Sequence, residues 1–397
     1  MKELMKKKII LFTSTGGGGH LSVSNALGEL LSTDYEVITI LIMGDLLKSV
    51  DPAQVFTFGL LKGEDTYNYL IQHQWNTTIN QALSLTQSYF SLRSTHIKKI
   101  LHNYLKQQKP DLIISVFHLF NRAILDCAQL LDIPFILVPT DLDATAFIHQ
   151  IQNPTYDKFK IAASFDNEEI RAKISTAKIN PQTIVTTGFP LKKDFSEPKD
   201  AVAIKTLFKL PANKKIIMIL MGAQGSKATI TYAQELASLQ QEVHLVFCLG
   251  KNEKIKSILE SIPFPKHISY TCIGFTNKIA DLMFIADLII TKSGSVSVCE
   301  ALYTNLPMIL DATHTPLAWE KFNHTFIEQM GFGRSLTNKK ELCALINKML
   351  NTNELHLIQK RLLDFNKKQG TVEIKKLIGN LLTNNPISQD SIPIYAI

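Results

Sequence analysis

The sequence predicts an α/β protein of two doubly wound, parallel-sheet domains, and three observations predict it. Short apolar runs rich in β-branched residues alternate with longer helical patterns along all 397 residues, which is how parallel strands covered by helices read. A chain of this length with 45% hydrophobic residues can bury more than one core, and chains beyond about 250 to 300 residues usually divide. Each half also repeats one order: strand, glycine-bearing loop, helix.

In the first half, strands are expected at Lys8 to Thr13, Glu36 to Ile42, Asp111 to Val116, Pro134 to Val138, Ile161 to Ser164 and Thr183 to Thr187. In the second they are expected at Lys215 to Leu220, Val243 to Leu249, His267 to Cys272, Leu288 to Thr291 and Met308 to Leu310. Pro190 to Pro198 breaks the alternation with two prolines and charges. The boundary is placed there, giving an N-terminal domain over 1–190 and a C-terminal domain over 191–382. A helix near Asn353 to Leu382 is able to pack back on the first domain, and 383–397 reads as a loose tail. Between Asp51 and Gln108 (51–108) a mainly helical insertion carries Phe56, Phe58, Tyr67, Tyr69, Trp75, Tyr89, Phe90 and Tyr104, more than a βα connection needs. It reads as a groove for an apolar substrate, as a membrane-touching element, or as aromatics packed on the domain.

The formal net charge is +7. Its lysine clusters, Lys6 to Lys8, Lys192-Lys193 and Lys214-Lys215, are small, dispersed and consistent with a solvated surface. Without a basic-aromatic ladder, nucleic acid is the weaker partner and phosphate-bearing small molecules or an anionic bilayer the stronger. Cys127, Cys248, Cys272, Cys299 and Cys343 are scattered singly, without metal-ligand spacing; a reducing, cytosolic compartment fits. Neither a signal peptide nor an apolar run of about 18 residues is present, so a soluble or peripheral protein is expected.

The run Ser14 to His20, with glycines at 16 to 19, follows an apolar strand and leads into a helical pattern. Consecutive glycines admit positive φ and close approach of a ligand, and the helix start offers unpaired N–H groups to an anion. His20 adds a group that transfers protons near neutrality. A tight βα turn with an incidental histidine explains the same residues. Gly222-Ala223-Gln224-Gly225 and Ser293-Gly294-Ser295 repeat the arrangement in the second half, where backbone N–H groups suit a diphosphate. Glu300 falls about one and a half turns into the helix that follows, placed to accept a ribose diol or to be a buried, satisfied carboxylate. Glu320 and Asn323 share a helical face by i, i+3 spacing, either for hydroxyl binding or as a helix cap. Ligands of open α/β sheets bind at the carboxyl ends of strands, where these loops fall. The third glycine of a dinucleotide fingerprint, the Gly-Lys-Ser/Thr of a phosphate-loop NTPase and a G-x-S-x-G elbow are all missing.

In this order the motifs resemble those of the family 28 glycosyltransferases of GT-B fold, the group of the monogalactosyldiacylglycerol synthases, the processive diacylglycerol glucosyltransferases and the peptidoglycan lipid-linked N-acetylglucosaminyltransferase. Gly18-Gly19-His20 is similar to the family's glycine loop ending in histidine, and Thr140-Asp141-Leu142, with Phe147 and His149, to a threonine-aspartate segment of the lipid enzymes. Gly188-Phe189-Pro190-Leu191 resembles their interdomain signature. Gly222, Gln224 and Gly225 match a diphosphate loop, Phe275 and Thr276 the uracil position, and Ser293, Gly294 and Ser295 the phosphate loop. Glu300 matches the ribose-binding glutamate, and Glu320 and Asn323 the sugar-binding helix. The lipid enzymes usually have Pro-Gly at Ser295-Val296 and Gly-Gln at Ala318-Trp319, so the donor sugar stays open.

The resemblance implies two Rossmann-like domains facing a central cleft, with a UDP-sugar held by the C-terminal one and an acceptor alcohol by the other. It implies inverting hexosyl transfer with no cofactor and no metal; His20 or Asp141 is expected to be the base, the other role for His20 being a hydrogen bond to a donor phosphate. Diacylglycerol is the first choice of acceptor, and the inner face of the plasma membrane the expected place. The other readings are a UDP-sugar epimerase of similar fold and a non-catalytic nucleotide-sugar or lipid-binding protein.

Overall fold

The computed structural model describes residues 6–73, 75–166, 168–222, 225–252, 254–383 and 385. The chain divides into two compact units, one of Met1–Lys192, Leu317–Trp319 and Lys368–Ile397, the other of Lys193–Pro316 and Glu320–Lys367.

The first unit holds six strands: β1 (Lys8–Thr13), β2 (Glu36–Leu41), β3 (Leu112–Ser115), β4 (Phe135–Leu137), β5 (Phe159–Ala163) and β6 (Ile184–Thr186). They pair in parallel in the order β2-β1-β3-β4-β5-β6. Helices cover the faces, so the central strands are apolar along their length: Ile9, Ile10, Leu11 and Phe12 of β1 and Leu112, Ile113 and Ile114 of β3 are fully buried. The strand order reverses between β1 and β3, which places the loop after β1 at the switch point where such sheets take their ligands.

The insertion consists of helices Pro52–Phe56, Gly63–Gln72, Asn76–Leu92 and Ser94–Gln108. The last of these buries Ile97, Leu101 and Leu105 in the core. The aromatics split between two fates. Phe90 is buried edge-on against Phe120 at 4.9 Å, whereas Phe56 and Phe58 are 75% and 97% exposed.

The second unit holds β7 (Lys215–Leu220), β8 (Val243–Gly250), β9 (Ile268–Gly274), β10 (Leu288–Lys292), β11 (Met308–Asp311) and β12 (Gly333–Leu336), parallel in the order β12-β11-β10-β7-β8-β9. β12 is not among the expected strands, because Gly-Arg-Ser-Leu lacks an apolar run and only pairing with β11 at the sheet edge defines it. A Cβ on Gly333 would lie 2.2 Å from the Met308 carbonyl oxygen, so glycine is what permits that pairing.

The single helix expected near Asn353 to Leu382 is two, Glu354–Asp364 and Gly370–Thr383. Phe365 ends the first by burying its ring against Phe332, 5.0 Å away. The second counts with the first unit, although 191–382 was expected to be one domain. Gly370 sits so close to Phe189 that a Cβ would meet the Phe189 carbonyl carbon at 2.3 Å, and Lys375 pairs with Asp34 behind the helix Gly19–Leu31. Of the expected tail, Thr383 closes this helix and Asn385 donates to the Asn380 carbonyl; the remainder lies outside the described residues.

Candidate functional site

In the first unit, β1 delivers Ser14 and Thr15 into the glycine loop. Gly17 and Gly18 turn it with φ of 74° and 82°, and the helix Gly19–Leu31 starts with Gly18 as N-cap and no side chain capping it. Its first N–H groups therefore lack an intrahelical acceptor and stand at the positive end of a 13-residue helix. His20 lies in the first turn, half-buried, its ring edge-on to Phe117 at 5.2 Å.

The His20 Nδ1 is 2.7 Å from the Val116 carbonyl oxygen and 2.9 Å from Thr140 Oγ1. A carbonyl oxygen only accepts, so Nδ1 carries the proton and donates, and the lone pair resides on Nε2. Burial lowers the His20 pKa to about 4, against the raising influence of the Val116 carbonyl and the Glu64 carboxylate. The imidazole is therefore neutral at physiological pH and oriented to take up a proton at Nε2. Asp141 follows Thr140, half-buried, beside this histidine's partner.

Sequence reasoning missed three groups around this loop. His118 stands with its ring 5.7 Å from that of His20, and burial, with His20 and His149 adding, lowers its pKa to about 3. Glu64 accepts hydrogen bonds from the Ser14 hydroxyl, from the Thr15 N–H at 3.0 Å and from the Thr15 hydroxyl at 2.6 Å. Asn68, one turn further on, accepts from the Gly17 N–H at 2.8 Å and donates to the Thr15 carbonyl. No local pattern signals contacts that cross 49 to 53 residues of sequence. Beside His118 a cavity of about 170 Å³ is lined by Phe90, Ile97, Lys98, Phe120 and Arg122 among others. Lys98 and Arg122 both pair with Asp126, which leaves one cationic charge in excess.

In the second unit the loop after β7 turns on Gly222 and Gly225, at φ of 91° and 74°. A Cβ on Gly225 would stand 2.2 Å from the Leu249 carbonyl oxygen, so no other residue fits. Ala223 and Gln224, the latter among the expected donor-binding residues, lie outside the described residues. Phe275, just beyond β9, is 65% exposed with the Lys251 ammonium 5.4 Å from its ring centre. The Thr276 hydroxyl accepts from the Lys278 N–H.

After β10, Ser293 and Gly294 lead into the helix Ser295–Tyr303, which carries Glu300, half-buried, in its second turn. Asn323 is fully buried, and its amide donates to the Ser293 carbonyl at 2.6 Å and the Ser295 hydroxyl at 3.0 Å. Its nitrogen thus braces the loop, while its Oδ1 is buried with no hydrogen-bond partner. Glu320 is the N-cap of the helix Lys321–Gln329, and its carboxylate reaches Ser293 Oγ at 3.4 Å. A Cβ on Gly294 would lie 3.6 Å from that carboxylate. Lys292, also missed from sequence, ends β10 beside these residues; burial lowers its pKa, and Glu320 and Asp311 oppose that. Main-chain donors, a cation and a helix start thus lie at the carboxyl ends of β7 and β10, a combination whose chemistry suits an anion. Among the described residues no group of three or more His, Cys, Asp or Glu is placed to hold a metal ion.

Residues 20–191 match the family model described as monogalactosyldiacylglycerol (MGDG) synthase, and residues 216–313 that of the glycosyltransferase family 28 C-terminal domain. A processive diacylglycerol beta-glucosyltransferase of Bacillus licheniformis is 25% identical over 87% of this chain and 87% of its own. Monogalactosyldiacylglycerol synthase 1 of Arabidopsis thaliana is 25% identical over 86% of this chain and 64% of its own. Among solved structures, MurG of Acinetobacter baumannii shares the fold at a TM-score of 0.59 and 14% identity, covering 94% of this chain and 99% of its own.

Proposed function

We propose, from the membership of this chain in glycosyltransferase family 28 alongside the monogalactosyldiacylglycerol synthases, that it moves a hexose from a UDP-sugar to a hydroxyl of a membrane lipid, diacylglycerol first. The observation that carries the reading is the His20 imidazole, held neutral with Nδ1–H on the Val116 carbonyl and Nε2 left to accept a proton. In the step it supports, Nε2 takes the acceptor hydroxyl's proton as that oxygen bonds to the anomeric carbon. The bond from that carbon to the diphosphate oxygen breaks, and UDP leaves with the electron pair. Thr140 and Val116 keep the ring oriented, and Asp141 is the alternative base.

In this reading Gly222, Ser293, Gly294 and Ser295 meet the diphosphate through main-chain N–H groups, the Gly225 N–H closing the turn onto the Gly222 carbonyl, with Lys292 adding charge, so that no metal is required. Phe275 and Thr276 receive the uracil and Glu300 the ribose hydroxyls. Inversion follows from attack opposite the leaving diphosphate, and it is what the beta linkage named for the Bacillus relative requires of an α-linked donor.

The lipid acceptor has support in the insertion. Phe56, Phe58, Leu60 and Leu61 stand 54 to 97% exposed in one short segment, a concentration of apolar surface that suits a bilayer interface. No helix of the described residues is long and apolar enough to cross a membrane, and contact from one face fits that. An epimerase is not favoured: a putative UDP-N-acetylglucosamine 2-epimerase of Listeria monocytogenes matches in fold only, at 13% identity. A non-catalytic role is not favoured either, since the relatives that match along the sequence are named as enzymes, a glucosyltransferase and a synthase.

The test is mass spectrometry of lipids after incubation of the protein with UDP-glucose, UDP-galactose or UDP-N-acetylglucosamine and diacylglycerol-containing vesicles. One donor should yield a hexosyl lipid and free UDP. Free UDP-sugar isomer with no glycolipid, or no turnover of any donor, would refute the reading.

A further inference from the structure

We propose that Glu64 is a positioning residue: by gripping Ser14 and Thr15 it fixes the glycine loop, and through the loop it fixes the helix start and the His20 ring. The proposal rests on the transferase reading for its effect on rate. Its geometric part stands independently.

Four glycines in succession supply almost no side chains to restrain themselves, and ordering them costs more backbone entropy than ordering other residues. At Gly18 no atom lies within 4 Å of where a Cβ would be, so the turn is not held by packing at its tip. The restraint comes from outside, from the helix Gly63–Gln72. Glu64 takes three hydrogen bonds from Ser14 and Thr15, and Asn68 takes the Gly17 N–H and returns one bond to the Thr15 carbonyl. Tyr67, between them on the helix, lays its ring on the loop, 3.4 Å from the Cβ position of Gly16 and 3.5 Å from that of Gly17. One helix face, at i, i+3 and i+4, thus clasps the loop; only the four glycines separate Thr15 from His20 in the chain.

The clasp is tied to the exposed apolar segment. Asp51, almost fully buried, accepts from the Ala53 N–H and from the Gly63 N–H, both at 2.9 Å, and so closes the excursion that displays Phe56 to Leu61. Glu64 is the next residue after Gly63. The segment suited to a lipid surface therefore ends where the helix that clasps the glycine loop begins, and Glu64 stands in the first turn of that helix.

The experiment compares wild type with Glu64→Ala, Glu64→Gln and Asn68→Ala by amide hydrogen exchange of residues 14 to 20, and by kcat and KM for the donor. Loss of the clasp should speed exchange of the Thr15 and Gly17 amides about tenfold or more in E64A. It should lower kcat by about tenfold to a hundredfold with KM changed far less, because misplacement of the reacting groups falls on the chemical step. E64Q, which keeps an acceptor for the Thr15 N–H, should recover most of both, and N68A should act in the same direction more weakly. Unchanged exchange in E64A overturns the proposal whatever the activity, as does a kcat that falls only with the folded fraction measured by circular dichroism. A wild-type protein that transfers no sugar refutes the transferase reading instead, and the exchange measurement still decides whether Glu64 fixes the loop. Should E64A fail to fold, Glu64→Ser, whose hydroxyl is too short to reach Thr15, takes its place: an exchange rate of the Thr15 amide equal to wild type overturns the proposal.

Discussion

Asn323→Ala separates two roles that one position could have in sugar transfer. The side chain is fully buried, and its amide donates to the Ser293 carbonyl and the Ser295 hydroxyl at 2.6 and 3.0 Å. Alanine removes both bonds and leaves the Ser293 carbonyl without that donor in a dry environment. A lost neutral hydrogen bond costs about 1 kcal/mol and an unsatisfied buried acceptor about 1 to 3 kcal/mol, so the variant should lose about 2 to 4 kcal/mol. In a domain of this size each kcal/mol moves the melting temperature by about 2 to 4 °C, giving a fall of about 4 to 16 °C. The freed loop also presents its N–H groups less well, so UDP should bind about tenfold or more weakly, a cost of about 1.4 kcal/mol. Calorimetric titration with UDP and thermal melting followed by circular dichroism read both quantities. A variant that melts and binds UDP like wild type, yet shows a raised KM for the UDP-sugar, would refute the bracing role and make Asn323 a sugar contact.

His20→Ala, correctly folded, should retain UDP binding and lose transfer by about a hundredfold or more, the usual contribution of a positioned base; wild-type turnover would pass the role to Asp141. Glu300→Ala should weaken UDP by about 1.5 to 3 kcal/mol through loss of a charge-assisted pair, and unchanged affinity by calorimetry would remove the ribose assignment. Phe56→Ser with Phe58→Ser should cut partitioning onto lipid vesicles by tenfold or more, since burying each ring is worth about 1.5 to 3 kcal/mol, while melting temperature holds; flotation assays report it. Acid should destabilise the fold in a defined window. His20, His118 and His244 have their pKa values lowered to about 4, 3 and 4, burial being the largest cause. Below pH 6.5 the unfolded chain takes up protons that these buried rings refuse, so the unfolding free energy falls as pH drops toward 4 and is insensitive to them above about 7. Urea unfolding at pH 7.5, 6 and 5 measures the slope, and a flat profile would contradict neutral buried imidazoles.

The strands were legible wherever a β-branched run is buried on both faces, as at Ile9 to Phe12 or Ile216 to Leu220. They were illegible where partner geometry alone makes a strand, as at Gly333–Leu336. The glycine loops and His20 could be read because their chemistry is local. Glu64 could not, because its partners are 49 and 50 residues away. For Asn323 the i, i+3 spacing with Glu320 gives a shared face, and only burial shows that its amide nitrogen is turned onto the Ser293 backbone.

The helix Gly370–Thr383 closes the first unit with chain from beyond the second. During synthesis the second unit emerges from the ribosome essentially whole, while the sheet that carries His20 waits for its last covering element. A nascent chain stopped near residue 365 would leave the Phe189 backbone and the Asp34 carboxylate without the helix that brings Gly370 and Lys375 against them. Premature termination should therefore leave the first unit uncovered, and the order of translation becomes a checkpoint that only finished chains pass.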